Sequence, residues 1–285
     1  MIREQLYSCG GVVVNVAQAS MDGPPMLLLH GVTRRWQDWL MTIPLLAPRW
    51  TIFALDFRGH GRSKFTSGYR VVDYATEVIA FLREHSRQPV VIVGHSLGAM
   101  VAAVAAAEVP DRVRAIAMVD PPFETLGSRR QETSWMSFFR GLQPFAGSSV
   151  PVSVIARELA EVRICGPKTP PVRLGDTRDG AALRFAARCL KQMDPGVFDS
   201  ILDGSWLNGY DRREILSKVR CPALLLQGQE SLGGMLTDAD ADEALGWMAD
   251  CTRVRVPGVG HQIHWMQPET TYRLLTAFFE SIEPL

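Results

Sequence analysis

Short runs of consecutive apolar residues alternate along this chain with longer stretches compatible with helix. Val12 to Val16, Met26 to Leu29, Thr51 to Leu55 and Val90 to Val93 read as strands, as do Val113 to Val119, Ala223 to Leu226 and Thr252 to Val256. Most are near-continuous apolar runs, the pattern of strands covered on both faces. Between them, Val72 to Glu84, Leu97 to Glu108, Asp238 to Met248 and Glu269 to Ile282 suit helices. Strand and helix in alternation imply right-handed crossovers and a mostly parallel sheet, hence an α/β fold.

The rhythm breaks between Phe123 and Asp211. Helical patches continue there, but no buried strand is evident, and Gly166 to Pro171 form a turn-rich centre. A helical insertion folded over one sheet edge as a cap fits this stretch, with crossover helices and a long surface loop as the alternative. The expected organisation is a core of residues 1–122 and 212–285 with a helical cap of residues 123–211.

Composition narrows the class further. The 285 residues include 30 Lys+Arg and 30 Asp+Glu, so the formal net charge is zero. That balance gives no broad attraction for nucleic acid or anionic lipid. The longest apolar run, Leu97 to Ala107, is about half of the ~20 residues a membrane helix needs. No secretory signal is evident at the start. Five cysteines are widely spaced with no Cys-x-x-Cys pair, so neither a zinc site nor a disulfide framework is expected, and a reducing cytoplasm is.

The candidate chemistry gathers at strand ends. Gly94-His95-Ser96-Leu97-Gly98 follows one strand directly and runs into an Ala-rich helix. Such a turn lifts a serine hydroxyl clear of the sheet, and the helix start offers free N–H groups to developing negative charge. A serine hydroxyl needs a base within reach. His261, on a Gly-rich turn after the last strand, is the candidate, and His264 could line the same site. His30 and His95 read as packing or loop-shaping residues, His60 and His85 as structural or surface ones. A carboxylate to orient the imidazole has two candidates at strand ends, Asp120 and Glu230. Trp36, Trp39, Trp265 and Met266 flank these motifs and could equally line an apolar pocket or belong to the core.

At this point the chain resembles the α/β-hydrolase family over nearly its whole length. The resemblance rests on His30-Gly31-Val32, Asp56-Phe57-Arg58-Gly59-His60-Gly61-Arg62-Ser63, the serine turn and Gly260-His261. It implies an eight-stranded, mostly parallel sheet with a cap inserted after strand six. It places the nucleophile at Ser96, the base at His261 and the oxyanion-binding N–H groups at Val32 and Leu97. The Gly-x-x-Asp usual after strand seven reads Gly228-Gln229-Glu230-Ser231 here, and Ser231 cannot serve. Some members carry the acid after strand six, where Asp120 stands. The chain is also similar to a capped subgroup of bacterial hydrolases with Asp-Pro-Pro at that place and a stretch like Gly233-Gly234-Met235 later. Asp120 is therefore preferred to Glu230.

The expectation is a serine hydrolase acting on a small ester or similar acyl substrate through an acyl-enzyme, with neither metal nor organic cofactor. Trp36 and Trp265 are expected to contact substrate. Carbon–carbon bond hydrolysis or cofactor-free lyase chemistry on the same triad is the alternative enzyme reading, and a non-catalytic small-molecule receptor the alternative outside enzymes. A serine rather than an aspartate at the turn argues against haloalkane dehalogenases and epoxide hydrolases.

Overall fold

The computed structural model describes residues 2–20, 22–166 and 169–282. Eight strands form one sheet: β1 (Arg3–Cys9), β2 (Val12–Ala19), β3 (Pro25–Leu29), β4 (Thr51–Leu55), β5 (Val90–His95), β6 (Val113–Val119), β7 (Ala223–Gln227) and β8 (Cys251–Arg255). Their spatial order is β1-β2-β4-β3-β5-β6-β7-β8. Strands β3 to β8 pair in parallel, while β2 is antiparallel to both β1 and β4. The sheet is thus the mostly parallel one expected.

Alternate residues of each strand feed opposite faces. Leu27, Leu29 and Ile92 join one buried cluster with the helices Val71–His85 and Leu97–Glu108. Met26, Leu28, Val91 and Val93 join a second cluster with Trp36, Trp39 and the helix Pro268–Glu280. Two cores on two faces explain why the central strands are apolar without alternation. Strand β1 is different. It is an edge strand whose first four residues are exposed, and its polar sequence gave no strand signal.

The chain leaves the sheet after β6 and returns at β7. In between lie the helices Trp135–Leu142, Val152–Glu161, Gly180–Lys191 and Gly196–Asp203. A purely helical insertion was expected, and here the structure differs. Arg163–Gly166 and Thr169–Arg173 pair as an antiparallel two-stranded ribbon. Burial explains why it was missed: Arg163, Cys165 and Val172 are exposed, so the ribbon has no apolar run to betray it. Pro170 and Pro171 are tolerated because a ribbon of two strands is all edge. Of the expected turn at 166–171, residues 167 and 168 lie outside the described residues.

No helix among the described residues is long and apolar enough to cross a membrane. The parallel strands β3 to β8 all end on the same side of the sheet, where ligand sites of open α/β sheets form. The loops carrying His30 to Val32, Asp56 to Ser63, Ser96, Asp120, Glu230 and His261 all follow those ends.

Candidate active site

Ser96 sits between the end of β5 and the helix Leu97–Glu108 with φ 54° and ψ −116°. That backbone is strained for a residue with a side chain, and such strain gathers at functional turns. Packing holds it there. A Cβ on Gly94 would lie 2.1 Å from the carbonyl oxygen of Gly98, and one on Gly98 would lie 2.3 Å from that of Leu29. Only glycine lets strand and helix approach so closely. Among the described residues, neither the Leu97 N–H nor the Val32 N–H donates a backbone hydrogen bond. Both donors are free to serve an oxyanion.

Asp120 also has a positive φ, 46°, and its side chain is fully buried. One carboxylate oxygen, Oδ2, accepts from His261 Nδ1 at 2.7 Å and from the Met235 N–H at 2.7 Å. The other accepts from the N–H groups of Gly228 and Leu236 at 3.0 and 3.4 Å. These donors satisfy a buried carboxylate that would otherwise be costly. With Nδ1 engaged, His261 keeps Nε2 as its other ring nitrogen. Ser96 and His261 both line a cavity of about 30 Å³, along with Val32, Trp135 and Met235.

Glu230, the other candidate carboxylate, is placed elsewhere. It is exposed, accepts from the Asp238 N–H at 3.3 Å and lines an open groove with Ser231 and Arg255. The expectation for Trp36 is corrected likewise: it is 6% exposed, packs in the core behind the sheet and lines neither cavity near Ser96. Its backbone N–H donates to Asp56 Oδ1 at 2.7 Å. Trp265 does face a cavity, one of about 100 Å³ beside the serine, and stacks on Phe185 with centroids 5.1 Å apart.

Three further histidines hold the loops around the site. His95 Nε2 lies 2.9 Å from the carbonyl oxygen of His261, pinning the backbone of that loop. His60 reaches the Val32 carbonyl and so ties the Val32 loop to the turn after β4. His264 does not reach a cavity; its Nε2 lies 2.9 Å from Asp38 Oδ2. Burial pushes the Asp38 carboxyl up, but His264 and then Arg34 outweigh that and hold it below the ordinary value. Burial, then the charges of His261 and His264, push His95 well below the ordinary histidine range. Asp38, His95 and His264 bring ligand atoms within 4.8 Å of one another; two of those residues are already bonded to each other.

The lining residues that the sequence did not point to include Arg34, Trp135, Phe138, Phe139 and Arg178. Trp135 arrives from the insertion and meets the His261 ring edge-on at 5.5 Å. No local pattern marks a residue delivered by a remote insertion. The paired Arg34-Arg35 beside His30-Gly31-Val32 was the one available signal.

Comparison with known proteins agrees with this architecture. Residues 24–151 match the family model described as the alpha/beta hydrolase fold. The 2-(acetamidomethylene)succinate hydrolase of Mesorhizobium japonicum is 28% identical over 289 residues, 95% of this chain and 93% of its own. Lipase LipV of Mycobacterium tuberculosis is 35% identical over 126 residues, 42% of this chain and 46% of its own. The crystal structure of E-2-(acetamidomethylene)succinate hydrolase superposes with a TM-score of 0.75 at 24% identity, covering 98% of this chain and 100% of the other. Sheet order, serine turn and these likenesses together give the chain the α/β-hydrolase fold, and its hydrolase relatives support an enzyme of the hydrolase class.

Proposed function

We propose that the protein is a serine hydrolase that cleaves small acyl substrates through an acyl-enzyme, with Ser96 as nucleophile, His261 as base and Asp120 as the orienting acid. The observation that carries this reading is the 2.7 Å bond between buried Asp120 and His261 Nδ1, on the wall of the cavity that Ser96 shares. A bond at Nδ1 directs Nε2 at the serine side of the ring and stabilises the imidazolium that forms.

In this scheme Ser96 Oγ attacks the carbonyl carbon as His261 Nε2 takes its proton. The carbonyl oxygen becomes an oxyanion held by the N–H groups of Val32 and Leu97. His261 then protonates the leaving group, and water activated by the same ring releases the acid and frees Ser96. The first relative above is named for an acetamido compound, so amides stand beside esters in the substrate class. The insertion of residues 123–211 acts as a cap: its Trp135, Phe138 and Phe139 close the serine cavity and restrict it to small substrates. The five cysteines are unpaired, in keeping with a cytoplasmic setting.

The test is labelling by a fluorophosphonate. Wild-type protein should be labelled, and Ser96→Ala should not. Well-folded wild-type protein that resists the probe while its melting curve stays intact would count decisively against the reading.

A further inference from the structure

The serine cavity and the 100 Å³ cavity beside it share Thr33, Arg34, Phe138, Arg178 and Gln262. An acyl chain seated at Ser96 therefore extends past two guanidinium groups. Arg34 comes from the loop after β3, and Arg178 comes from the insertion just before the helix Gly180–Lys191. The rest of the larger cavity is mostly apolar, with Leu142, Leu174, Leu183 and Phe185 among its walls.

Neither guanidinium is fully served by the protein. Arg34 Nε lies 3.4 Å from Asp38 Oδ1, yet that buried nitrogen has no hydrogen-bond partner. Among the described residues, Arg178 has neither an ion pair nor a hydrogen bond. Two carboxylates also line the larger cavity: Asp38 is shared between His264 and Arg34, and Asp179 accepts from the Ala182 N–H at 2.8 Å, where it caps the next helix, and forms no ion pair with Arg178 among the described residues. Burial first, and the like charge of Arg34 second, lower the Arg178 guanidinium from its ordinary value. Two like charges brought together in a poorly solvated wall favour an anion between them. Planar guanidinium groups suit a carboxylate particularly well.

We propose that Arg34 and Arg178 form a carboxylate-binding subsite, and that the substrates are monoesters or monoamides of short dicarboxylic acids, held by the free carboxylate while the other acyl carbon meets Ser96. This rests on the acyl-hydrolase reading above. Because the two arginines come from the sheet side and the insertion side, the substrate's carboxylate also bridges cap and core. Neutral acyl chains of the same length would leave the Arg178 charge unpaired in the cavity wall, which gives discrimination against them.

The experiment compares mono-p-nitrophenyl succinate with p-nitrophenyl butyrate, of equal chain length, on wild type, Arg178→Gln and Arg178→Lys. Wild type should prefer the charged ester in kcat/KM. In Arg178→Gln that preference should fall roughly 10- to 100-fold, the range expected when a charge-assisted contact is lost, chiefly through KM, and Arg178→Lys should restore part of it. An unchanged preference in Arg178→Gln, or a wild type that favours butyrate, would overturn the subsite. Calorimetric titration of Ser96→Ala with succinate separates the two readings. If succinate binds and Arg178→Gln in that background abolishes binding, the subsite stands even where neither ester turns over and the serine mechanism has failed. If butyrate is cleaved but succinate does not bind, the subsite fails and the hydrolase reading survives.

Discussion

Ser96 and Asp120 are two non-glycine residues held at positive φ, and both stand where a parallel strand stops. Each is strained by its turn, and at Asp120 four donors compensate. Replacing Asp120 with Asn keeps the volume but turns an NH₂ group toward backbone N–H donors and removes the charge opposite His261. On the proposed mechanism kcat should fall by roughly 10³–10⁴, with a stability loss of about 1–3 kcal/mol from the mispaired buried groups. Glu230→Gln alters an exposed side chain that takes no part in that bond and should leave kcat within about twofold. Steady-state kinetics and urea melts of both variants decide this, and a crippled Glu230→Gln beside an active Asp120→Asn would refute it. At this scale, much of the candidate site was legible. Ser96, Asp120 and His261 each carry a local signature of strand end plus Gly or Pro. Arg178 and Trp135 carry none, because their meaning comes only from where the insertion folds.

The helix Leu97–Glu108 shows how far an element can be read from its sequence. Both of its ends fall where the apolar pattern places them. It is buried on every side, so its position depends on backbone contact at the serine turn and not on an amphipathic stripe. Gly98→Ala would push a methyl group into the Leu29 carbonyl at 2.3 Å, backbone that cannot rotate away. The expected loss is at least about 1–3 kcal/mol, with loss of activity as the turn shifts. Gly246 in the helix Asp238–Trp247 is the control. It is exposed and a Cβ there meets nothing within 4 Å, so Gly246→Ala should stabilise by about 0.4–1 kcal/mol. Urea midpoints of the two variants should move in opposite directions; a Gly98→Ala protein as stable as wild type would show that the turn is not held by this contact. Elements that bury little, β1 and the ribbon at 163–173, were invisible for the complementary reason. Their residues face water, and an exposed strand has no apolar run to announce it.

For the molecule as a whole, the loops that build the site are fastened by buried histidines that must stay neutral. His30 is the clearest. Its Nδ1 lies 2.7 Å from the Gly31 carbonyl oxygen, and its Nε2 accepts the Phe57 N–H at 3.1 Å. The bonds fix one neutral tautomer, since a proton on Nε2 would confront another donor. Burial, with the charge of His60 second, pushes its pKa down to about 3. In the unfolded chain the same ring titrates near ~6.5. Between those values the unfolded state binds a proton that the native state refuses, so stability is complete above about pH 6.5 and declines as the pH falls, by up to ~1.4 kcal/mol per pH unit. His60 and His95, also lowered by burial, act in the same direction. Asp56 and Glu77 oppose it, because burial raises their carboxyls. A comparison with His30→Gln isolates the one ring. Gln can still accept from Phe57 but has no proton to gain, so the stability gap between wild type and variant should be widest at pH 7.5 and narrow steadily toward pH 5. Urea melts at half-unit intervals measure that gap. A gap independent of pH would mean that His30 titrates alike in both states, and that the loop joining β3 to the Val32 N–H is held by packing without any dependence on this neutral ring.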